Sequence, residues 1–226
     1  HYDHHNPDNP ELYKNKEVYI KNPVEKINRS QKERASYFLE QIEPVAKKIE
    51  TSEKISLKYG STKIRVSDAV PHGFNPRLGY VTEIFIDDND ERFLFTSDVE
   101  GPCLEEHINF ILETKPSILY IDGPMTYQRG LKFPMKYIEN SNLHLIKIIN
   151  ETDVKNIVLD HHFLRDLNYL KFIEKVLEVA DRKKVKIETC AEFMNKKVNM
   201  LEAHRKELYE KEPVTKLPKR KLLYSE

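Results

Sequence analysis

Asn156-Ile157-Val158-Leu159-Asp160-His161-His162 decides how the rest of the chain is read. An aliphatic run of strand length stops abruptly in three residues that ionise or ligate. The same ending recurs upstream. Phe93-Leu94-Phe95 gives way to Thr96-Ser97-Asp98, Ile118 to Ile121 gives way to Asp122, and His72 follows the Ile64 to Val70 stretch after one proline. Residues at strand ends lie along one edge of a sheet, where open α/β sheets gather their sites. Asp98, Asp122, Asp160, His161 and His72 are therefore expected to approach one another in space.

Working outward, strands and helices alternate beyond Asp98. Pro102 suits a first helical turn, with Leu104, Ile108, Ile111 and Leu112 on one face. A helix around Leu143 to Ile149 precedes the strand at Asn156. Leu167, Leu170, Ile173, Leu177 and Ala180 mark the next helix, and Val185 to Ile187 the next strand. Thr189 to Glu192 reads as a capping box opening a final helix to about Leu208. Upstream, the period is two: Ile55 and Leu57, a Tyr59-Gly60-Ser61 turn, Ile64 and Val66, then Gly79 to Asp87, an Asp88-Asn89-Asp90 turn and Arg92 to Thr96, an antiparallel meander. Earlier still, Glu17 to Ile20 forms a short strand, and Ser30-Gln31-Lys32-Glu33 a capping box for a helix carrying Phe38, Ile42 and Val45. β-rich first and β-α alternating later gives an α/β or α+β class with sheet covered by helices. The expected division is one domain over residues 1–212 and a basic, loosely ordered tail over 213–226.

The 226 residues carry 37 Lys plus Arg against 37 Asp plus Glu, so no net field selects nucleic acid or an anionic membrane. Two cysteines, distant and in no C-x-x-C pair, fit a reduced cytoplasmic compartment and leave any metal to His and carboxylates. No apolar run approaches the roughly 20 residues of a membrane span.

His1-Tyr2-Asp3-His4-His5 adds a dense group of nitrogen and oxygen donors of the kind zinc, iron or manganese takes. Each element has a plainer reading. The opening histidines could belong to a tag, His72 to a turn, and Asp98 to the cap of the helix near Pro102. Asp122-Gly123-Pro124 reads as a turn or as an orienting group. His107, His144 and His204 fall within helices and are read as solvated.

Taken together, these phrases resemble the metallo-β-lactamase superfamily. His1-x-Asp3-His4 matches the back of its H-x-H-x-D-H signature. Val70-Pro71-His72-Gly73, Thr96-Ser97-Asp98 and Leu159-Asp160-His161-His162 follow in the order of its later motifs. Pro71-His72-Gly73, Ser97-Asp98-Val99-Glu100-Gly101-Pro102 and Asp160 to Asp166 are similar to an archaeal group of hydrolases in that superfamily, over His1 to about Leu208. The resemblance implies an αββα sandwich, incomplete at its N-terminus, because the first signature histidine falls two residues before His1. It also implies a dinuclear centre, with zinc expected first and manganese or iron as alternatives. His1 and His72 would hold one ion, Asp3, His4 and His161 the other, and Asp98 would bridge. His161 is preferred over His162, with His162 or Asp160 orienting a ligand.

The activity implied is hydrolysis by a metal-activated hydroxide, with Asp98 and Asp3 as catalytic carboxylates and Arg77, Arg165 or Tyr127 meeting an anionic substrate. Phosphoesters, as small molecules, nucleotides or RNA, lead over thioesters and lactams, and the balanced charge weakens RNA. Two alternatives stand beside this reading. Asp160-His161-His162 also resembles the motif of the manganese-dependent D-H-H phosphoesterases, although Asn6-Pro7-Asp8 imitates their aspartate-rich motif poorly. A chain lacking its front strands could instead act as an inactive metal-binding or interaction module.

Overall fold

The structure, a computed structural model, describes residues 9–213. His1, Asp3 and His4, and the tail beyond Pro213, lie outside the described residues. The chain runs β1 (Glu17–Ile20), α1 (Arg29–Ile42), β2 (Lys48–Thr51), β3 (Ser56–Tyr59), β4 (Thr62–Val66), β5 (Val70–Pro71), β6 (Tyr80–Val81), β7 (Ile84–Asp87), β8 (Arg92–Phe95), α2 (Glu106–Thr114), β9 (Ile118–Asp122), α3 (Met135–Glu151), β10 (Asn156–Asp160), α4 (Glu174–Lys183), β11 (Lys186–Thr189), α5 (Cys190–Phe193) and α6 (Arg205–Lys211).

Seven strands form one mixed sheet in the order β11-β10-β9-β8-β7-β4-β3. From β8 to β11 all neighbours are parallel, whereas β8, β7, β4 and β3 pair antiparallel. This is the mixed α/β class expected. Consecutive parallel strands sit side by side, so successive crossovers of one hand put α2, α3 and α4 on the same face. There Ile108, Ile111, Leu145, Ile148, Val176 and Ala180 close over Leu94, Leu119, Ile121, Ile157 and Leu159 as one core. A fully buried Leu or Ile contributes roughly 1.5–3 kcal/mol, which makes this layer the main source of stability.

The opposite face is covered more thinly. β1 and β2 form a separate parallel pair, and α1 packs on it through a small cluster of Ile20, Phe38 and Ile42. A cleft of about 480 Å³ remains between this unit and the sheet, lined by Tyr19, Phe38, Leu57, Ile64, Tyr80 and Ile84. Among the described residues no helix is long and apolar enough to cross a membrane.

Several local expectations shift. The cap of α1 is Asn28, boxed with Gln31, rather than Ser30. The Thr189–Glu192 box forms, but the helix it opens ends at Phe193, and Asn195 adopts φ 54° just beyond. Asparagine tolerates that left-handed conformation and stops a helix there. The helix expected to run on to Leu208 is thus two short pieces, α5 and α6.

Candidate metal centre

Parallel pairing brings the carboxyl ends of β8, β9 and β10 to one edge, with Asp160 in register with Asp122. The loop after β8 carries Asp98, and the end of the β5 hairpin carries His72. At this edge the backbone is unusually strained: Ser97, Glu100 and His161 all have positive φ, at 61°, 51° and 52°. Such conformations cost on the order of 1–3 kcal/mol and persist where surrounding structure enforces them, often at functional sites.

Asp98 sits between two imidazoles. Its Oδ2 lies 3.0 Å from His72 Nε2, and its Oδ1 lies 3.3 Å from His162 Nδ1. His161 completes the group, because one ligand-capable atom from each of Asp98, His161 and His162 falls within 4.8 Å of the others. Asp122, buried at the end of β9, organises the assembly from behind. It accepts from the His162 backbone N–H at 2.9 Å, from the Glu100 N–H at 2.8 Å, and sits 2.8 Å from His162 Nδ1. Of its two plain readings, turn residue and orienting group, the geometry matches the second.

Charge is distributed unevenly. Burial opposes ionisation of Asp98, but the contact with His72 and the charges of His72 and His162 prevail and hold it below the usual carboxylate range. Burial also disfavours the His72 cation, yet Asp98 outweighs this and raises its pKa. Asp122 moves the other way, raised by burial first and the Asp98 charge second. Burial lowers the pKa of His161 and His162, toward the neutral form a metal takes.

Two further groups adjoin the site: Glu100, assigned no role from sequence, and His107, read there as solvated. Glu100 is buried, and its Oε2 has no hydrogen-bond partner. It presses on Gly73, where φ is 76° and a Cβ would collide with the Glu100 carboxylate. His107 is fully buried rather than solvated, 3.0 Å from the Pro71 carbonyl through Nε2 and 3.2 Å from the Gly101 carbonyl through Nδ1. Burial pushes its pKa down to about 4. A neutral ring donates once, and with Leu104 N–H aimed at Nδ1 the proton belongs on Nε2, facing Pro71. His107 thereby ties the strand before His72 to α2. Its spacing was the available signal, because Leu104, His107, Ile108 and Ile111 follow the i, i+3, i+4, i+7 pattern of a buried face. His144 is half-buried and in contact with Glu105, and His204 is half-buried beside Glu207.

Of the expected ligands, then, Asp98 and His161 cluster with His162, His72 touches this cluster through Asp98, and Asp160 stands outside it. Arg165 and Tyr127 meet beside His161, whereas Arg77 lies farther along the β5–β6 loop that begins at His72, and its carbonyl accepts from Asn28.

Fold and site define a mixed α/β protein with a histidine and aspartate cluster at the carboxyl edge of its parallel strands. The chain belongs to the UPF0282 family of archaeal proteins. It is 46% identical over 215 residues to a UPF0282 protein of Korarchaeum cryptofilum, covering 95% of this chain and 71% of that one. It is 41% identical over 216 residues to one from Sulfurisphaera tokodaii, covering 94% and 70%, and 40% identical to one from Saccharolobus solfataricus with the same coverage. No protein-family model matches. Among solved structures, a mutant CmlA beta-hydroxylase aligns at TM-score 0.45 and 11% identity, covering 67% of this chain and 34% of that chain. That likeness is too distant to bear on chemistry.

Proposed function

We propose that this protein is a metal-dependent hydrolase of the metallo-β-lactamase type, acting on a phosphoester or another ester. The observation that supports it most is the placement of Asp98, whose two oxygens each face a different imidazole. One carboxylate between two histidine-bearing loops is the arrangement a bridging ligand requires. The donor set fits a borderline cation such as zinc, with manganese or iron as alternatives: imidazole nitrogens, those of His161 and His162 shifted toward the neutral form, one ionised carboxylate, and no thiolate. His72, Asp98 and His161 are the ligands we assign, with His162 oriented by Asp122 as a fourth donor. His1, Asp3 and His4 are assigned to the same centre on their motif alone. A divalent ion held there supplies a nucleophile at neutral pH by lowering the pKa of a bound water.

The chain's own groups do the rest. Asp98 positions His72 and His162, one oxygen toward each ring. Asp122 fixes the ring of His162 and the backbone at Glu100. Glu100 contributes a buried carboxyl, raised by burial, whose free oxygen is available for proton transfer at the site. The test is metal content and turnover of bis-nitrophenyl phosphate and nitrophenyl acetate by the complete protein, with and without added zinc or manganese. Metal-dependent turnover of either ester is expected. Absence of metal, or turnover unaffected by chelation, contradicts the reading.

A further inference from the structure

We infer that Arg165 is the anion-recognition residue of this site, and that the substrate pairs an anionic group, phosphate in the first instance, with an apolar body. The inference rests on the hydrolase reading for its chemistry but on separate observations for its geometry.

A cavity of about 510 Å³ opens beside the cluster and shares His161 as part of its wall. Two cations border it, Arg165 and Arg205, and they differ in what already holds them. Arg205 is paired with Glu202 at 3.0 Å. Arg165 makes no ion pair among the described residues: its Nη1 donates to the Tyr127 hydroxyl at 3.2 Å and its Nη2 to His161 Nε2 at 3.2 Å. Neither partner is a carboxylate. The remaining acid of the wall, Asp160, makes no ion pair with Arg165 among the described residues. A guanidinium keeps its charge at any working pH, so Arg165 brings to the cavity a positive charge that no ion pair among the described residues holds.

His161 adds a second observation. To accept from a guanidinium its Nε2 must carry the lone pair, which is also what a metal ion takes. One lone pair serves one partner, so an ion at His161 would displace Nη2 and leave a planar donor edge, anchored by Tyr127, facing the cavity. That edge matches two oxygens of a phosphate or carboxylate. Beyond it the wall turns apolar at Leu164, Val198 and Met200. The anion would therefore lie against Arg165 next to the cluster, and its organic substituent along this wall.

Calorimetric binding of phenylphosphonate, which carries the anion and an apolar ring but cannot be hydrolysed at phosphorus, tests this in the complete protein. The titration is run metal-free and metal-loaded, with inorganic phosphate as a second probe. Wild type should bind phenylphosphonate, and more tightly than inorganic phosphate. Arg165→Gln should weaken it roughly tenfold or more, and Arg165→Lys should restore part of the loss. Metal content should stay unchanged in both. Tyr127→Phe, which keeps the charge and removes an anchor, should cost a few fold and carries the test if Arg165→Gln does not fold. Equal affinity in wild type and variants, or no binding by wild type, overturns the inference. Arg165-dependent binding in a protein with no metal-dependent turnover would instead sink the hydrolase reading and leave the anion site standing.

Discussion

The two halves of the seven-stranded sheet are built to different standards. In the parallel half, β9 and β10 run through a continuous core, with Leu119, Ile121 and Ile157 completely buried. In the antiparallel half, β3 exposes three of its four residues and ends the sheet, and the layer above it leaves an open cleft. Asp98 and His161 hang from the rigid half, and His72 reaches Asp98 from the separate β5–β6 pair. Loops that hold strained backbone need a support that does not yield, and helix-covered parallel strands supply it. The softer half is free to vary without moving Asp98 or His161.

The largest effect expected falls on function at the rigid edge. Asp98→Asn should lower metal-dependent turnover at least about a thousandfold, or ~4 kcal/mol in barrier, with little change in fold. Circular dichroism beside kinetics checks this. For stability, Leu119→Ala should cost roughly 2–5 kcal/mol in urea unfolding, because a buried cavity opens beneath three helices. Leu57→Ala on β3 should cost about 1 kcal/mol or less. Equal losses would remove the contrast between the halves.

His107 gives a pH-dependent version of the same contrast. Its pKa is 6.5 unfolded and about 4 folded, so the unfolded chain binds the proton more readily. The contribution is fully present above the unfolded value and is lost as pH falls toward the folded one. Between pH 7 and 4.5 it should shrink by about 2–3 kcal/mol. Urea unfolding of wild type and His107→Gln at both pH values would show it as a flatter dependence in the variant. Smallest among the rigid-edge effects is Gly123→Ala. A Cβ there would run into the ring of buried Phe163, and overpacking of this kind costs roughly 1–3 kcal/mol.

The parallel half was also the legible half. A fully covered strand must be aliphatic throughout, and a ligand placed just past its end interrupts that run visibly, as Asp98, Asp122 and His161 do. β2 left no such trace, because Lys48-Ile49-Glu50-Thr51 holds one apolar residue and is a strand only through its parallel pairing with β1. Buried polar residues were the other failure. Glu83 is fully buried with both carboxylate oxygens unpartnered, and burial raises its pKa well above the carboxylate norm. Its charge in the sequence argued for the surface. His107 misled for the same reason, although its helical spacing carried the correct answer. The choice between His161 and His162 rests on hydrogen bonding: Asp122 claims Nδ1 of His162, whereas His161 lines the cavity with its Nε2 in contact with Arg165.

The central claim is that Asp98 joins the histidine loops around a metal. The direct measurement is metal stoichiometry by inductively coupled plasma mass spectrometry on the complete protein, purified without chelator, as wild type and as Asp98→Asn. The account predicts bound divalent metal in the wild type and its loss in the variant at unchanged fold. A wild type free of metal after exposure to zinc, manganese and iron, or a variant that retains the full complement, would contradict it.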